Sequence, residues 1–247
     1  ALPIFLSLKT ALHPTPELYM KYTKGEFVIE VIDDLNNVIV LPEIYSKDIL
    51  SYKNIKIVFW WLSVDNFFKS IGVKQNYKEY KKGKKYNMYK FIYYIGFDPI
   101  SFYKPFRTIL FSNKVFLHVY QSKYAHLFLI KNRIKNILPL SDYLNNTYLE
   151  NRTNIKNREN VILYNPKKGI EITSKLINYM NDYNWIPLEK FSPLEMKNIM
   201  LKSKVYVDFG NHPGKDRIPR EAAICGCVVI TNKFGAAQNN LDRKSVV

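Results

Sequence analysis

The chain has 247 residues, 47% of them hydrophobic, enough to bury a sizeable core as one large or two small domains. A formal charge of +16 and a pI near 9.6 point to an anionic partner, whether nucleic acid, membrane surface or phosphorylated substrate, without choosing among them. No apolar run approaches the roughly eighteen residues of a spanning helix, and Cys225 and Cys227, one residue apart with no second pair, make a poor disulfide or zinc framework. Both read as small core residues in a reducing compartment.

The chain opens Ala1-Leu2-Pro3 with neither Met nor a basic-then-apolar leader pattern, and it stops at Val247 soon after a strand and loop. The expectation is a cytoplasmic chain cut at both ends. Residues 1–35 are ambiguous: Pro14–Glu17 starts a helix or turn, and Phe27–Ile32 is compatible with a helix running to Asp33-Asp34. After a turn at Asn36-Asn37, Val38–Leu41 reads as a buried strand that ends on Pro42-Glu43. A helix over Ser46–Tyr52 and a strand over Lys56–Trp61 follow, the strand ending on Leu62-Ser63-Val64-Asp65-Asn66. Acidic and polar groups at the ends of successive strands indicate one edge of a parallel sheet that faces a ligand.

Tyr77–Phe106 differs in character, interleaving lysines such as Lys81, Lys82, Lys84 and Lys85 with aromatic residues such as Tyr80, Tyr86, Phe91 and Tyr93. The mixture suits an anionic membrane surface. It equally suits a single-strand nucleic-acid platform or a partly buried segment with a solvated lysine face.

The α/β pattern returns with a strand at Lys114–Val119, polar residues Gln121-Ser122, a helix over Lys123–Ile130 and a short strand at Asn136–Leu140. Residues 145–160 are almost all polar and form the candidate interdomain linker, so that 1–150 and 161–247 read as two domains joined through 151–160. The second domain begins with the strand Val161–Tyr164 and the loop Asn165-Pro166-Lys167-Lys168-Gly169, then a helix over Glu171–Met180 and a strand at Trp185–Leu188. Ser192-Pro193-Leu194-Glu195 is a capping box with Pro at the first helical position, and its helix ends near Lys202-Ser203.

Residues 204–240 read strand, loop, helix, strand, loop. The strand Val205–Phe209 ends at Gly210; the loop holds Asn211, His212, Gly214, Lys215, Asp216 and Arg217; Pro219 marks the first helical turn. Cations and hydrogen-bond donors therefore meet at the carboxyl end of a strand and the amino end of a helix, a place suited to an anion such as a diphosphate.

Taken together, the two runs of β-α units resemble the GT-B glycosyltransferases, in which two Rossmann-like domains face a cleft. The match is carried by Glu221-Ala222-Ala223-Ile224-Cys225-Gly226-Cys227-Val228-Val229-Ile230, which is similar to the family's E-A-x-A-x-G-x-P-V-V pattern without its Pro. Lys233-Phe234-Gly235-Ala236 resembles the Gly-containing loop that follows, and Asn165–Gly169 resembles the Lys-Gly loop of the donor domain. FGNHPGKDRIPREAA, WWLSVDN and QSKYA resemble bacterial glycosyltransferases of surface-polysaccharide assembly. The resemblance covers most of the chain; only a first strand-helix unit and a closing helix are missing.

The resemblance implies transfer of a sugar from a nucleotide-sugar donor, itself a substrate rather than a cofactor, to a saccharide or lipid-linked acceptor. The N-terminal domain would serve the acceptor and the C-terminal domain would hold the donor. Glu221 would contact the ribose hydroxyls, and Lys168, Lys215 and Arg217 or Arg220 the diphosphate. Asn165, Lys167, Asn211, His212, Gly214, Asp216 and Gly235 would line the rest of the donor site. Many retaining relatives carry a second glutamate eight positions before the one matching Glu221, and here that position is Pro213. His212 or Asp216 would then substitute, and the stereochemical course stays open. An inverting enzyme needs a general base, for which Glu43, Asp65 and His118 are the candidates near strand ends. No Asp-x-Asp metal motif is visible, so the expectation is metal-independent transfer.

Three other readings stand beside this one. A basic nucleic-acid-binding protein fits the charge, but no helix-turn-helix, RNP-like or zinc-finger pattern appears, and no nucleic-acid partner is expected. A nicotinamide enzyme lacks its G-x-G-x-x-G turn. A catalytically inactive glycosyltransferase-like scaffold is the third.

Overall fold

Short β-branched and aromatic runs, separated by segments with one apolar stripe, bury their apolar surface best when helices cover a parallel sheet. A computed structural model describes residues 30–70, 110, 112–141, 144–149, 158–239 and 242. Among them the chain forms two four-stranded sheets in which every strand pairing is parallel, an α/β architecture of two Rossmann-like units.

The first unit runs β1 (Val38–Pro42), a 3-10 segment (Glu43–Leu50), β2 (Lys56–Trp61), α1 (Val64–Ser70), β3 (Val115–Tyr120), α2 (Lys123–Lys131) and β4 (Ile137–Pro139). Its strands lie in the order β1-β2-β3-β4. Register pairs Ile39 with Ile57 and Leu41 with Phe59, so the alternate residues of β1 and β2 share one buried face. On that face the rings of Phe59 and Trp61 meet edge-on at 5.0 Å, and Trp61 lies 4.9 Å from Phe67 of α1. Such aromatic pairs contribute about 0.5–1.5 kcal/mol each beyond their area.

The second unit runs α3 (Asn146–Leu149), β5 (Glu159–Tyr164), α4 (Ile170–Tyr179), β6 (Asn184–Pro187), α5 (Pro193–Lys202), β7 (Ser203–Asp208), α6 (Arg217–Ile224), β8 (Val228–Thr231) and a 3-10 turn (Ala236–Gln238). The capping box at the start of α5 is complete: Ser192 accepts from Glu195 N, and the Glu195 carboxylate accepts from Ser192 N. The strand order is β6-β5-β7-β8, so the chain leaves β5 to one side and returns to the other. That reversal opens a crevice at the carboxyl ends of β5 and β7, where α/β sheets bind ligands.

Several local expectations change. Residues 31–34 are not helical, because the Asp33 carboxylate accepts the amides of Lys53, Asn54 and Ile55 and holds a turn instead. The helix expected over Ser46–Tyr52 is a 3-10 segment beginning at Glu43, and α6 begins at Arg217, ahead of the Pro219 that the sequence marks as its start. Within the polar run 145–160, Asn146–Leu149 is helical and Tyr148 is buried in the second core. Its ring finds apolar partners that its polar neighbours lack. Cys225 and Cys227 are free and buried, and burial pushes their thiols up to about 11 and about 12. No described helix is long and apolar enough to cross a membrane. The lysine-aromatic segment 77–106 lies outside the described residues.

Candidate functional site

The crevice between β5 and β7 is held by one polar chain that begins on a buried carboxylate. Asp208, the last residue of β7, is 1% exposed. It accepts hydrogen bonds from Tyr206 Oη at 3.0 Å, Asn165 Nδ2 at 3.1 Å and Gly210 N at 3.0 Å. Asn165 is the first residue after β5, so the carboxylate ties the two strand ends together across the switch in strand order.

His212 continues the chain. Its Nε2 lies 3.2 Å from the Asp208 carbonyl oxygen, which can only accept, and its Nδ1 lies 3.0 Å from Asp216 Oδ2. Burial pulls the His212 pKa down, but the Asp216 hydrogen bond and the Asp208 charge together raise it above its ordinary value. A carbonyl oxygen at Nε2 and a carboxylate oxygen at Nδ1 both accept, so the geometry suits an imidazolium that donates from both nitrogens. Burial likewise pushes Asp216 up, and its bonds to His212 and Lys168 outweigh that and hold it below the usual range. Lys168 Nζ stands 2.6 Å from Asp216 Oδ2 and closes the chain from the β5 side. Asp208, His212 and Asp216 bring metal-ligand atoms within 4.8 Å of one another, and Lys168 already supplies positive charge there.

Beside this chain lies an open cavity enclosing about 510 Å³, its solvent-facing mouth included. Lys215, Arg220, Thr231, Gly214 and Asp242 contribute to its wall, together with the alanines of the last 3-10 turn. Burial lowers the Lys215 pKa and the nearby Arg220 charge lowers it further, while Asp242 opposes the shift. The turn that carries those alanines depends on Gly235, whose φ of 62° suits glycine and whose backbone pairs with His212.

The loops of the second unit rest directly on the strand ends of the first. Ser63 Oγ donates to the Pro213 carbonyl at 2.7 Å, and Gln121 Nε2 donates to the Lys215 carbonyl at 3.4 Å. Asn211 Nδ2 lies 3.5 Å from Asp65 Oδ2. Gly214 approaches Leu62 so closely that a Cβ there would collide with the Leu62 carbonyl oxygen.

The sequence-derived residues therefore fall into groups. His212, Gly214, Lys215, Asp216 and Arg220 line one cavity, with Lys168 and Asn165 behind them through Asp216 and Asp208. Lys167 is exposed, and its amide closes a turn on Asn165 Oδ1 at 3.0 Å. Arg217 and Glu221 sit four residues apart on α6 and face Tyr148. Burial first, and then the Glu221 charge, raise the Tyr148 pKa, which Arg217 opposes. Glu221 is 7% exposed and does not belong to the cavity wall.

The three candidate bases have different surroundings. Glu43, 2% exposed at the end of β1, is raised to about 7 by burial, and its Oε2 accepts from Leu62 N at 3.1 Å. Asp65, near the start of α1, accepts from Tyr124 Oη at 3.2 Å and faces Asn211 of the second unit. His118 lies within the aromatic core: Trp61 Nε1 donates to its Nδ1 at 3.0 Å, and burial lowers its pKa to about 4. Neither Asp208 nor Asp242 emerges from sequence reasoning. Asp208 has a signal, an acidic residue inside the apolar run Val205–Phe209; Asp242 has none.

Comparison of the chain with protein-family models finds no match. A search of curated proteins finds none either.

Proposed function

We propose that the chain is a GT-B-type glycosyltransferase that moves a sugar from a nucleotide-sugar donor to a saccharide or lipid-linked saccharide in surface glycan assembly. The observation that carries this reading is the pairing of two cations in one cavity wall, Lys215 and Arg220, with the crevice at the strand-order reversal beside it. A diphosphate there would meet charge-assisted donors, which stabilise a leaving group as its glycosidic bond breaks. His212, whose contact with Asp216 favours the imidazolium, lines the same wall. The Asp65 carboxylate, at the seam between the units and close to Asn211, is the best placed of the three candidate bases for an acceptor hydroxyl. The ribose role of Glu221 rests on the family resemblance alone. The enzyme would work at the cytoplasmic face of a membrane, with segment 77–106 as its anionic-lipid contact.

Calorimetry against UDP, GDP, TDP and CMP sugars tests the reading. One charge-assisted contact is worth about 1.5–3 kcal/mol, so Lys215→Ala should weaken donor binding roughly ten- to hundredfold. If no nucleotide sugar binds the parent, the reading fails. A Glu221→Ala variant that binds as well as the parent removes the ribose assignment and leaves the cavity assignment standing.

A further inference from the structure

Asp242 has no part in the reaction proposed above, yet its carboxylate joins the two units. One oxygen accepts from Lys123 N at 2.6 Å and the other from Tyr124 N at 2.9 Å. These are the first two amides of α2, a nine-residue helix whose N-cap, Ser122, accepts from Ala125 N. Amides at a helix start lack intrahelical partners and carry the positive end of the helix dipole, so an anion is stabilised there. The same carboxylate lines the cavity with Lys215 and Arg220, and its charge acts on Lys215. It thus stands between a helix start of the first unit and the cationic wall of the second.

We propose that Asp242 is an autoinhibitory latch, an internal anion that offsets the positive charge of Lys215 and Arg220 and stays on the start of α2 until a phosphorylated ligand displaces it. The inference rests on reading the cavity as an anion site. An arriving diphosphate and the Asp242 carboxylate compete for the same positive charge, so the ligand's apparent affinity falls by the fraction of molecules in which the latch is open. Ligand binding and loss of the Asp242 contact with the start of α2 are then one event, while the bonds of Ser63 to Pro213 and of Gln121 to Lys215 keep the seam between the units.

Calorimetry with inorganic pyrophosphate on the full chain, compared with its Asp242→Asn and Lys215→Ala variants, tests the proposal. With a latch closed in nine molecules of ten, Asp242→Asn should bind about tenfold tighter than the parent. Misfolding would weaken binding, so tighter binding cannot arise from it. Asp242→Ser carries the same expectation should the first variant fail to fold. Unchanged or weaker binding in a folded Asp242 variant, with Lys215→Ala still impaired, overturns the latch and leaves the anion site intact. Absence of pyrophosphate binding in parent and variants alike overturns both.

Discussion

Glu43 makes the pH dependence of folding calculable. Its carboxyl is buried at the end of β1, where desolvation raises it from 4.5 to about 7 against the opposing hydrogen bonds of nearby amides, among them Leu62 N. The folded pKa lies above the unfolded one, so the folded state keeps a proton that the unfolded chain releases. The associated stability is complete below about 4.5 and is lost progressively as pH rises through about 7. At about 1.4 kcal/mol per pH unit over that window, the loss is of order 3 kcal/mol. Glu43→Gln keeps an oxygen that can accept from Leu62 N and removes the charge. The variant should therefore match the parent near pH 4 and exceed it by about 2–3 kcal/mol at pH 8, the lower figure allowing for lost amide contacts. Urea unfolding from pH 4 to pH 8 measures this, with circular dichroism as the probe. Parallel parent and variant profiles would refute the reasoning, because they would mean that the carboxyl is solvated. A variant that is less stable at every pH would show that the amide contacts outweigh the burial cost.

The polar chain through His212 yields a second titration of the same sign. The folded His212 pKa is raised above 6.5, so its contribution is present below that value and lost as pH rises through the higher folded one. Asp216→Asn should lower the His212 value seen by proton NMR and cost about 1–3 kcal/mol, because it weakens the acceptor for a buried imidazole; an unmoved His212 titration would sink the assignment. Gly214→Ala should destabilise the parent fold by about 1–3 kcal/mol through overpacking against the Leu62 carbonyl. Thermal unfolding measures it, and a neutral effect would show that the two units do not touch there. Segment 77–106 should bind vesicles containing anionic lipid in low salt, and equal binding to neutral vesicles at high salt would remove the electrostatic reading.

What could be read from the chain alone was whatever is local. Apolar runs marked Val161–Tyr164 and Val205–Phe209 as parallel strands, and Ser192 with Glu195 marked the start of α5, because periodicity and capping act over a few residues. The basic loop residues Lys168 and Lys215 were legible for the same reason: loops after parallel strands line the ligand edge. The bond between Lys168 and Asp216 was not, since it spans forty-eight positions and depends on β5 lying next to β7. Nothing in the chain order puts those strands side by side; β6 intervenes between them in sequence and is then left on the far edge. Tertiary partners also decided the local misreadings, with Asp33 capturing amides more than twenty positions away and Tyr148 finding a core inside a polar run.

The same distinction explains why α6 has two functional faces. A helix start with Lys215, Arg217, Arg220 and Glu221 looks in sequence like one cluster around one anion. At 3.6 residues per turn, Arg217 and Glu221, four apart, lie about 40° from each other around the axis, whereas Arg220 and Glu221, adjacent in sequence, lie about 100° apart. Arg217 and Glu221 accordingly act on Tyr148, while Arg220 turns to the cavity that Lys215 enters from the preceding loop. A diphosphate bound in the cavity would therefore draw on Lys215 and Arg220, and substituting Arg217 should affect packing around Tyr148 more than anion affinity. Donor affinity that fell as far with Arg217→Ala as with Lys215→Ala would place the anion on the other face of the helix and shift the site toward Glu221.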